Sequence, residues 1–494
     1  MGIETEYSIY SNQDTGNLIN AMIEHLRGEP MGLDRRSATS SRCFLKNGGL
    51  VYKDMGAPEY CTPECPNPKS LVAFDRAGEI IVQKLARAVS ILKECKVSIF
   101  KKGSDGYGHP SGCHENYSVS PELFLYLTKG HTSDVRISVW STFLAVRQLI
   151  TGGGKVGSER SDMPATFQIS QRADFIVAFR NDDTLQDRPV IQCRDEPLAR
   201  HDLVRRLHVI VGDPNLCEWA LFLKVGLSAL MLMALEDNYF STANIPVFSI
   251  NTPLMFPIIS RDVELKQKHD VTITNSADKS LATATEILCA HVEALSDYLA
   301  TEGWRRLTPS EYLIYQDVID KARFILSRLL NQDMRSLLGI CDWATKLVLA
   351  NQYLGKKSKT LADCSSDLEL ELNLRTFVDM GYSSTDQETS LSHHLFKKGL
   401  MKRIVSDEDI NLALTTTPKE GRAPLRVAIT DKFNNNIKTI FWDKIILFEG
   451  GEEFTIELPT PFIYNNDIFK QAILSSRTPK ELWSAWTALL PIGV

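Results

Sequence analysis

The sequence lacks the features that would place it in several large classes of protein. It has no excess of basic charge: 55 Lys and Arg stand against 61 Asp and Glu, a formal charge of −6. That balance argues against a nucleic-acid partner bound through release of phosphate counterions. Zinc-ribbon cysteine pairs are missing too. The ten cysteines are scattered, and the closest two, Cys61 and Cys65, have CxxxC spacing with no second pair. Reduced thiols and a cytoplasmic setting are the expectation. No uninterrupted apolar run reaches the roughly 18 residues of a membrane span. The longest, Trp219 to Leu235, contains Lys224 and reads as a buried helix, so no membrane partner is expected. The opening MGIETEYSIY is acidic and strand-like where a secretory leader would be basic and then apolar. Internal repeats and low-complexity tracts are absent as well.

What is present suffices for full-sized cores, since 43% of the 494 residues are apolar. Alternation predicts β structure over residues 2 to 10, and a helix follows near Asn17 to Arg27. The polar segment Gly28 to Arg42 reads as a loop and Leu50 to Asp54 as a strand. After it, Gly56, Pro58, Pro63 and Pro66 argue against regular structure. Helical spacing of apolar residues predicts an amphipathic helix over 69–94, and Lys96 to Lys101 reads as a short strand. Gly103 to Ser111 and TGGGKVG, Thr151 to Gly157, read as glycine loops free to approach a ligand. Strands and turns fill Thr166 to Asp213; helices dominate 281–355; residues 359–392 look loop-rich. The stretches IKTIFWDKIILF and EEFTIEL belong to a small separate unit, which gives an expected division into 1–395 and 396–494.

Several residues carry chemistry by type and spacing. On a strand, alternate side chains share a face, so Glu4 and Glu6 stand together and invite a divalent cation; a solvated strand face is the plainer reading. Tyr52 and Asp54 share a face by the same rule, and the turn beyond them can return Glu59 to their side. Asp54 at a strand end suits a base or nucleophile, or simply a turn residue. GCHENY sets His114 and Glu115 after a glycine loop, where either completes a metal or phosphate site or packs as a satisfied core group. Arg172, Arg194, Arg205 and Arg206 offer forks for phosphate or carboxylate, or ordinary ion pairs; if RLHVIV is a strand, Arg206 and His208 share one face and Arg205 lies on the other. Neither glycine loop matches a common nucleotide fingerprint.

Taken in order, MGIETEY, NGGLVYKD with PEYCTPEC, DRAGE, GCHENY, SQRAD, RDEP and RRLHVIVGDPN resemble the family of Pup ligases and Pup deamidase/depupylases, relatives of glutamine synthetase. The resemblance runs strongly to about residue 240 and more loosely through CDWATKL, GLMKRIV and IFWDKIILF. It implies an α+β, glutamine-synthetase-like fold. A curved antiparallel sheet would cradle Mg-ATP and the C-terminal residue of Pup, a small protein modifier, and a small C-terminal domain would complete the nucleotide pocket. By position it makes Glu4, Tyr52 and Glu59 magnesium ligands, Asp54 the catalytic aspartate, Thr62 a nucleotide contact and Trp442 the residue beside the adenine. Arg205, Arg206 and His208 fall in nucleotide motifs, while Glu6, His114, Glu115, Arg172 and Arg194 are candidates for metal, phosphate or substrate.

The two branches of that family run opposite reactions: ligation of Pup to lysine with ATP consumption, or hydrolysis of the terminal Gln amide and of the isopeptide bond. The Asp54 to Glu59 spacing, TPEC, TFQISQRADFI, DWATKL and MKRIV with FWDKI resemble the hydrolase side. The short segment before Phe44 resembles the ligase side. Other departures are Leu50 where the family has arginine, FKKGSD where it has FKNNTD, and RDEPLAR where it has RDEPHAD. The expectation is a Mg-ATP-dependent hydrolase acting on Pup, or a Pup-like protein, and its lysine conjugates. A Pup ligase, a non-catalytic Pup-binding regulator and a small-molecule glutamate-amine ligase are the alternatives.

Overall fold

A computed structural model describes residues 1–33, 41–249, 252–276, 278–462 and 466–493. Its centre is a six-stranded sheet in which every neighbour is antiparallel. From one edge to the other the strands are Arg205–Val209, Cys113–Val119, Gly2–Glu6, Ala57–Cys61, Leu50–Asp54 and Arg42–Phe44. The alternation in the first strand decides which way the sheet faces. Ile3 and Thr5 are buried in the large core, while Glu4 and Glu6 point to the opposite, half-open face.

Behind the sheet lie two helices, Pro68–Leu92 and Glu218–Glu236. The first starts where the sequence marks it: Asn67 accepts from the Ser70 amide at 2.9 Å, and Pro68 needs no amide partner in the first turn. The second is apolar enough by length and composition to cross a membrane, but 83% of its apolar window is buried inside the protein. Lys224 within it is fully buried and donates to the Asp213 carbonyl at 2.7 Å.

A second, smaller core gathers Leu425, Ile429, Ile440, Ile445, Leu447, Ile456 and Trp486. It packs onto Phe44, Leu50 and Cys61 at the far end of the main sheet. Because Leu50 is registered with Cys61, and Cys61 with Glu4, the small unit covers part of the same face that carries the acids. The expected division at residue 395 shifts accordingly. Val405, Ile410 and Ala413 belong to the large core, and the small core begins at Leu425.

Three other expectations change, and IKTIFWDKIILF gains its detail. Pro58 is accommodated in the Ala57–Cys61 strand at its second position, next to the hairpin turn, where its carbonyl accepts from the Tyr7 amide at 3.0 Å. TGGGKVG is buried along its whole length: Asp213 holds the Gly153 amide, and Ile169 the Gly154 amide. The 359–392 stretch contains helices at Leu368–Arg375, with a π turn over Thr376–Met380, because its leucines meet the large core at Leu370 and Leu374. IKTIFWDKIILF is two strands, Ile437–Ile440 and Lys444–Glu449, joined at Phe441 to Asp443. The expected loop at Gly28–Arg42 lies in part outside the described residues.

Candidate active site

Strand register builds the site. Glu4 is paired with His114 on one side and Cys61 on the other; Glu6 is paired with Glu59, and Glu59 with Tyr52. Residues directly opposite share a face, so one surface collects Glu4, Glu6, Tyr52, Asp54, Glu59, His114 and His208. Two clusters result. In one, a carboxylate oxygen of Glu4 lies 3.6 Å from His114 Nδ1 and 3.7 Å from His208 Nε2. In the other, oxygens of Glu6, Asp54 and Glu59 lie within 4.8 Å of one another.

The electrostatics of the two clusters differ. Glu4 is held well below the usual carboxylate range by its bond to His114 and the charges of His208 and Arg206, which outweigh its burial. Arg206 approaches it at 3.3 Å and Asn116 donates to it at 3.1 Å. Glu59 is pushed up by burial and by Glu4 and Glu6, and Asp54 by burial and by Glu6. Burial also holds the Tyr52 phenol protonated. His208 is driven down to about 3, chiefly by burial. Neither of its ring nitrogens has a hydrogen-bond partner among the described residues, nor does Glu59 Oε1. Crowded carboxylates of raised pKa, with buried lone pairs unmatched, are a donor set suited to a hard divalent cation.

Beside the clusters a cleft opens between the sheet and the small unit, lined among others by Glu4, Thr62, Glu64, Arg206, Arg422 and Trp442. The Thr62 hydroxyl accepts from the Ile3 amide at 3.0 Å. Trp442 meets Phe44 edge-on at 5.1 Å and carries the Arg426 guanidinium over its ring at 4.8 Å. An aromatic face, a cationic wall and an acidic floor are the contact set of a purine nucleotide with its cation.

Not every candidate joins the site. Glu115 is registered with Ile3, which turns it to the sheet's other face; there it is fully buried and paired with Arg147 at 2.6 Å and with the Tyr117 hydroxyl. Arg172 is buried with its fork spent on the carbonyls of Ser111 and Ile210. Arg194 pairs with Glu196 at the surface. Arg205 also lines the cleft, but it pairs with Asp195 and lies over the Phe124 ring. Arg206 and His208 do share a face, and both reach Glu4.

The family profile described as Pup-ligase protein matches residues 1–446. The chain belongs to the Pup-ligase family. Within it, the Pup deamidase/depupylase of Mycobacterium tuberculosis is 30% identical over 436 residues, covering 88% of this chain and 80% of the relative. The Pup–protein ligase of Acidimicrobium ferrooxidans is 33% identical over 475 residues, covering 93% and 95%. The crystal structure of the complex between Pup and its ligase PafA matches with a TM-score of 0.78 at 26% identity, covering 99% of this chain and 92% of that one. PafA in complex with ADP gives 0.72 at 27% identity, covering 93% and 92%. The fold is therefore the glutamine-synthetase-like α+β fold of the Pup-ligase family.

The sequence reading missed Glu64, Asn116, Arg422 and Arg426. Glu64 and Asn116 stand inside motifs it quoted, TPEC and GCHENY, and register places Asn116 opposite Gly2 and His208. Arg422 and Arg426, four apart at the start of the helix Ala423–Lys432, share a helix face, but nothing local tells that the face meets Glu64.

Proposed function

We propose that the protein is an enzyme of the Pup pathway that hydrolyses amides at the modifier's C-terminal side chain. It would deamidate a terminal Gln and release Pup, or a Pup-like protein, from substrate lysines in the cytoplasm. Membership of the family supports the pathway, and the ADP complex of PafA supports nucleotide binding. The observation that carries the hydrolase reading is the Asp54 hairpin. Met55 and Gly56 alone make the turn, Asp54 is registered with Ala57, and the five-residue step to Glu59 resembles the deamidase/depupylase branch.

The residues divide the work. Glu4, Glu6, Glu59 and Tyr52 would hold magnesium, with His114 and His208 beside them, and the metal would supply positive charge to phosphate and carbonyl oxygens. Trp442 and Thr62 would hold the nucleotide, and Arg205, Arg206 and Arg422 its phosphates. Asp54, half-buried at the open end of the acid cluster, attacks the side-chain carbonyl or takes a proton from water. Burial and the Glu6 charge raise its pKa, and His114 opposes that rise.

The second reading, a Pup ligase, is favoured by length: the Acidimicrobium ligase is matched over 95% of its own chain, the Mycobacterium depupylase over 80%. One experiment separates the two. The protein is mixed with Mg-ATP and a Pup–lysine conjugate, with Asp54→Asn as control, and free Pup and ADP are followed together. Free Pup without matching ADP supports the hydrolase. A persistent conjugate, with Pup ending in Glu joined to added protein as ADP accumulates, establishes the ligase.

A further inference from the structure

Two buried lysines follow the strand Ser98–Phe100, and they are treated differently. Lys101 is neutralised by Asp75 at 2.5 Å. Lys102, 3% exposed, pairs with no carboxylate among the described residues. Its ammonium donates to the Tyr10 hydroxyl at 2.9 Å and reaches the Met380 sulfur, on the π turn Thr376–Met380, at 3.2 Å. The centres of the Tyr10 and Phe100 rings lie 5.0 and 5.8 Å from it. All of these partners are neutral. Burial pushes the Lys102 ammonium below the usual lysine range, against the more distant pull of Asp379 and Asp105. A cation held out of water without a counter-ion is costly, and an arriving anion relieves that cost.

There is room for one. Lys102 lines a cavity together with Tyr10, Asp105, Lys155, Arg375 and Asp379, three cations against two acids. Both acids are already engaged. Asp105 accepts from the amides of Tyr107 and His109 at 2.7 and 3.1 Å and meets the His109 ring at 2.8 Å. Asp379 accepts from the Val156 amide at 3.0 Å and from Lys346 at 3.5 Å. Lys155 is spent on Asp174 at 3.0 Å and Glu159 at 3.4 Å. Arg375 donates to Glu371 at 2.7 Å and to the Gly106 carbonyl at 3.1 Å, but its Nε is buried without a hydrogen-bond partner among the described residues. What the walls leave unmatched is therefore positive. This cavity and the cleft beside Trp442 share no lining residue.

We propose that this cavity is a second ligand site, which binds a small oxyanion of the phosphate class with Lys102 as its counter-ion and Arg375 beside it. The donors arrive from different walls, Lys102 from the end of a strand and Arg375 from the end of the helix Leu368–Arg375. A tetrahedral oxyanion has acceptors for both directions, whereas a carboxylate presents its two oxygens in one plane. The source is either the free ion or the phosphoryl end of a small metabolite. The loop that lines the cavity at Ser104 to Tyr107 runs on to Gly112, which packs against the Glu6 and His114 side chains. An anion held here thus borders the segment that supports the acid cluster.

The test uses the full-length protein and calorimetric titration at constant ionic strength, with inorganic phosphate and glycerol 3-phosphate as probes. Lys102→Met keeps the length of the side chain and removes its charge. It should weaken phosphate binding by about ten-fold or more, with nucleotide affinity within about two-fold of wild type because the two sites are separate. Phosphate bound equally by the two proteins, or not at all by the wild type, overturns the site, and so does a matching fall in nucleotide affinity. Tighter binding of inorganic phosphate assigns the free ion and tighter binding of the ester a phosphoryl-bearing metabolite; either supports the site. Should Lys102→Met fail to fold, wild-type crystals soaked in selenate decide the matter. A selenium peak within hydrogen-bond reach of the Lys102 ammonium supports the proposal, and its absence there overturns it.

Discussion

Glu64 accepts two hydrogen bonds from Arg426, at 3.0 and 3.1 Å, across 362 residues of sequence. Arg422 adds a third at 2.6 Å. Arg426 also donates to the carbonyls of Gly48 and Trp442, so one guanidinium links the main sheet, the small unit and the aromatic wall of the cleft. The carboxylate and both guanidiniums are largely or wholly buried. This is the tie that sets the small unit over the cleft.

Acid should loosen that tie before it unfolds the rest. The two arginines hold Glu64 down to about 2 from its ordinary 4.5, against the effect of burial. A group depressed on folding contributes stability fully above its unfolded value and loses it as pH falls through the folded one. The contribution, on the order of 3 kcal/mol, should be complete above about pH 4.5 and drain away toward pH 2. Glu64→Gln should show lower thermal stability at pH 7 and a flatter loss of stability across that window, measured by calorimetry or denaturant titration at each pH.

Glu115 should prove structural although it adjoins His114. Its ion pair with Arg147 is sealed in the large core, so Glu115→Ala leaves a buried, unpaired guanidinium and should cost about 3–5 kcal/mol. Glu115→Leu combined with Arg147→Met should recover much of that loss, since no charge is then stranded. Nucleotide affinity of the folded double variant should stay within about two-fold of wild type, because both side chains lie on the far face of the sheet.

Gly154 tests the buried glycine loop. Its φ is +65°, and a Cβ would lie 2.7 Å from Trp343 Cα, a backbone atom with no freedom to yield. Gly154→Ala should therefore destabilise by roughly 2 kcal/mol or more. Gly108, at φ +96° with open space around it, serves as the control: Gly108→Ala should cost only the backbone strain, about 1–2 kcal/mol. Equal losses at the two sites, measured by urea unfolding, would remove the packing argument.

The face of the site was legible in the sequence because strand alternation is local. Glu4 with Glu6, and Tyr52 with Asp54, follow from period two alone, and the hairpin then returns Glu59. Register was not legible, and it decides Glu115: the residue stands beside His114 in sequence yet faces the opposite way. Burial of TGGGKVG was equally hidden, since Gly154, which looks mobile in sequence, is required here by the approach of Trp343. The Glu64 tie needs a contact across most of the chain, which no window of sequence displays.

The separation of chemistry from nucleotide binding gives the sharpest test of the site as a whole. Asp54 lies with Glu6 and Glu59, none of which lines the cleft, whereas Trp442 lines it with Glu4 and Glu64. Asp54→Asn keeps size and shape but removes the proposed base or nucleophile, so kcat should fall by about 10²–10⁴-fold with nucleotide affinity near wild type. Trp442→Ala removes an aromatic wall worth about 0.5–1.5 kcal/mol beyond its area, and should weaken nucleotide binding roughly ten-fold while kcat at saturating nucleotide stays within a few-fold. Single-turnover kinetics with a nucleotide titration read both quantities. If the two substitutions instead lowered kcat and nucleotide affinity in the same proportion, cleft and acid cluster would act as one unit, and the division of roles drawn from the register would be wrong.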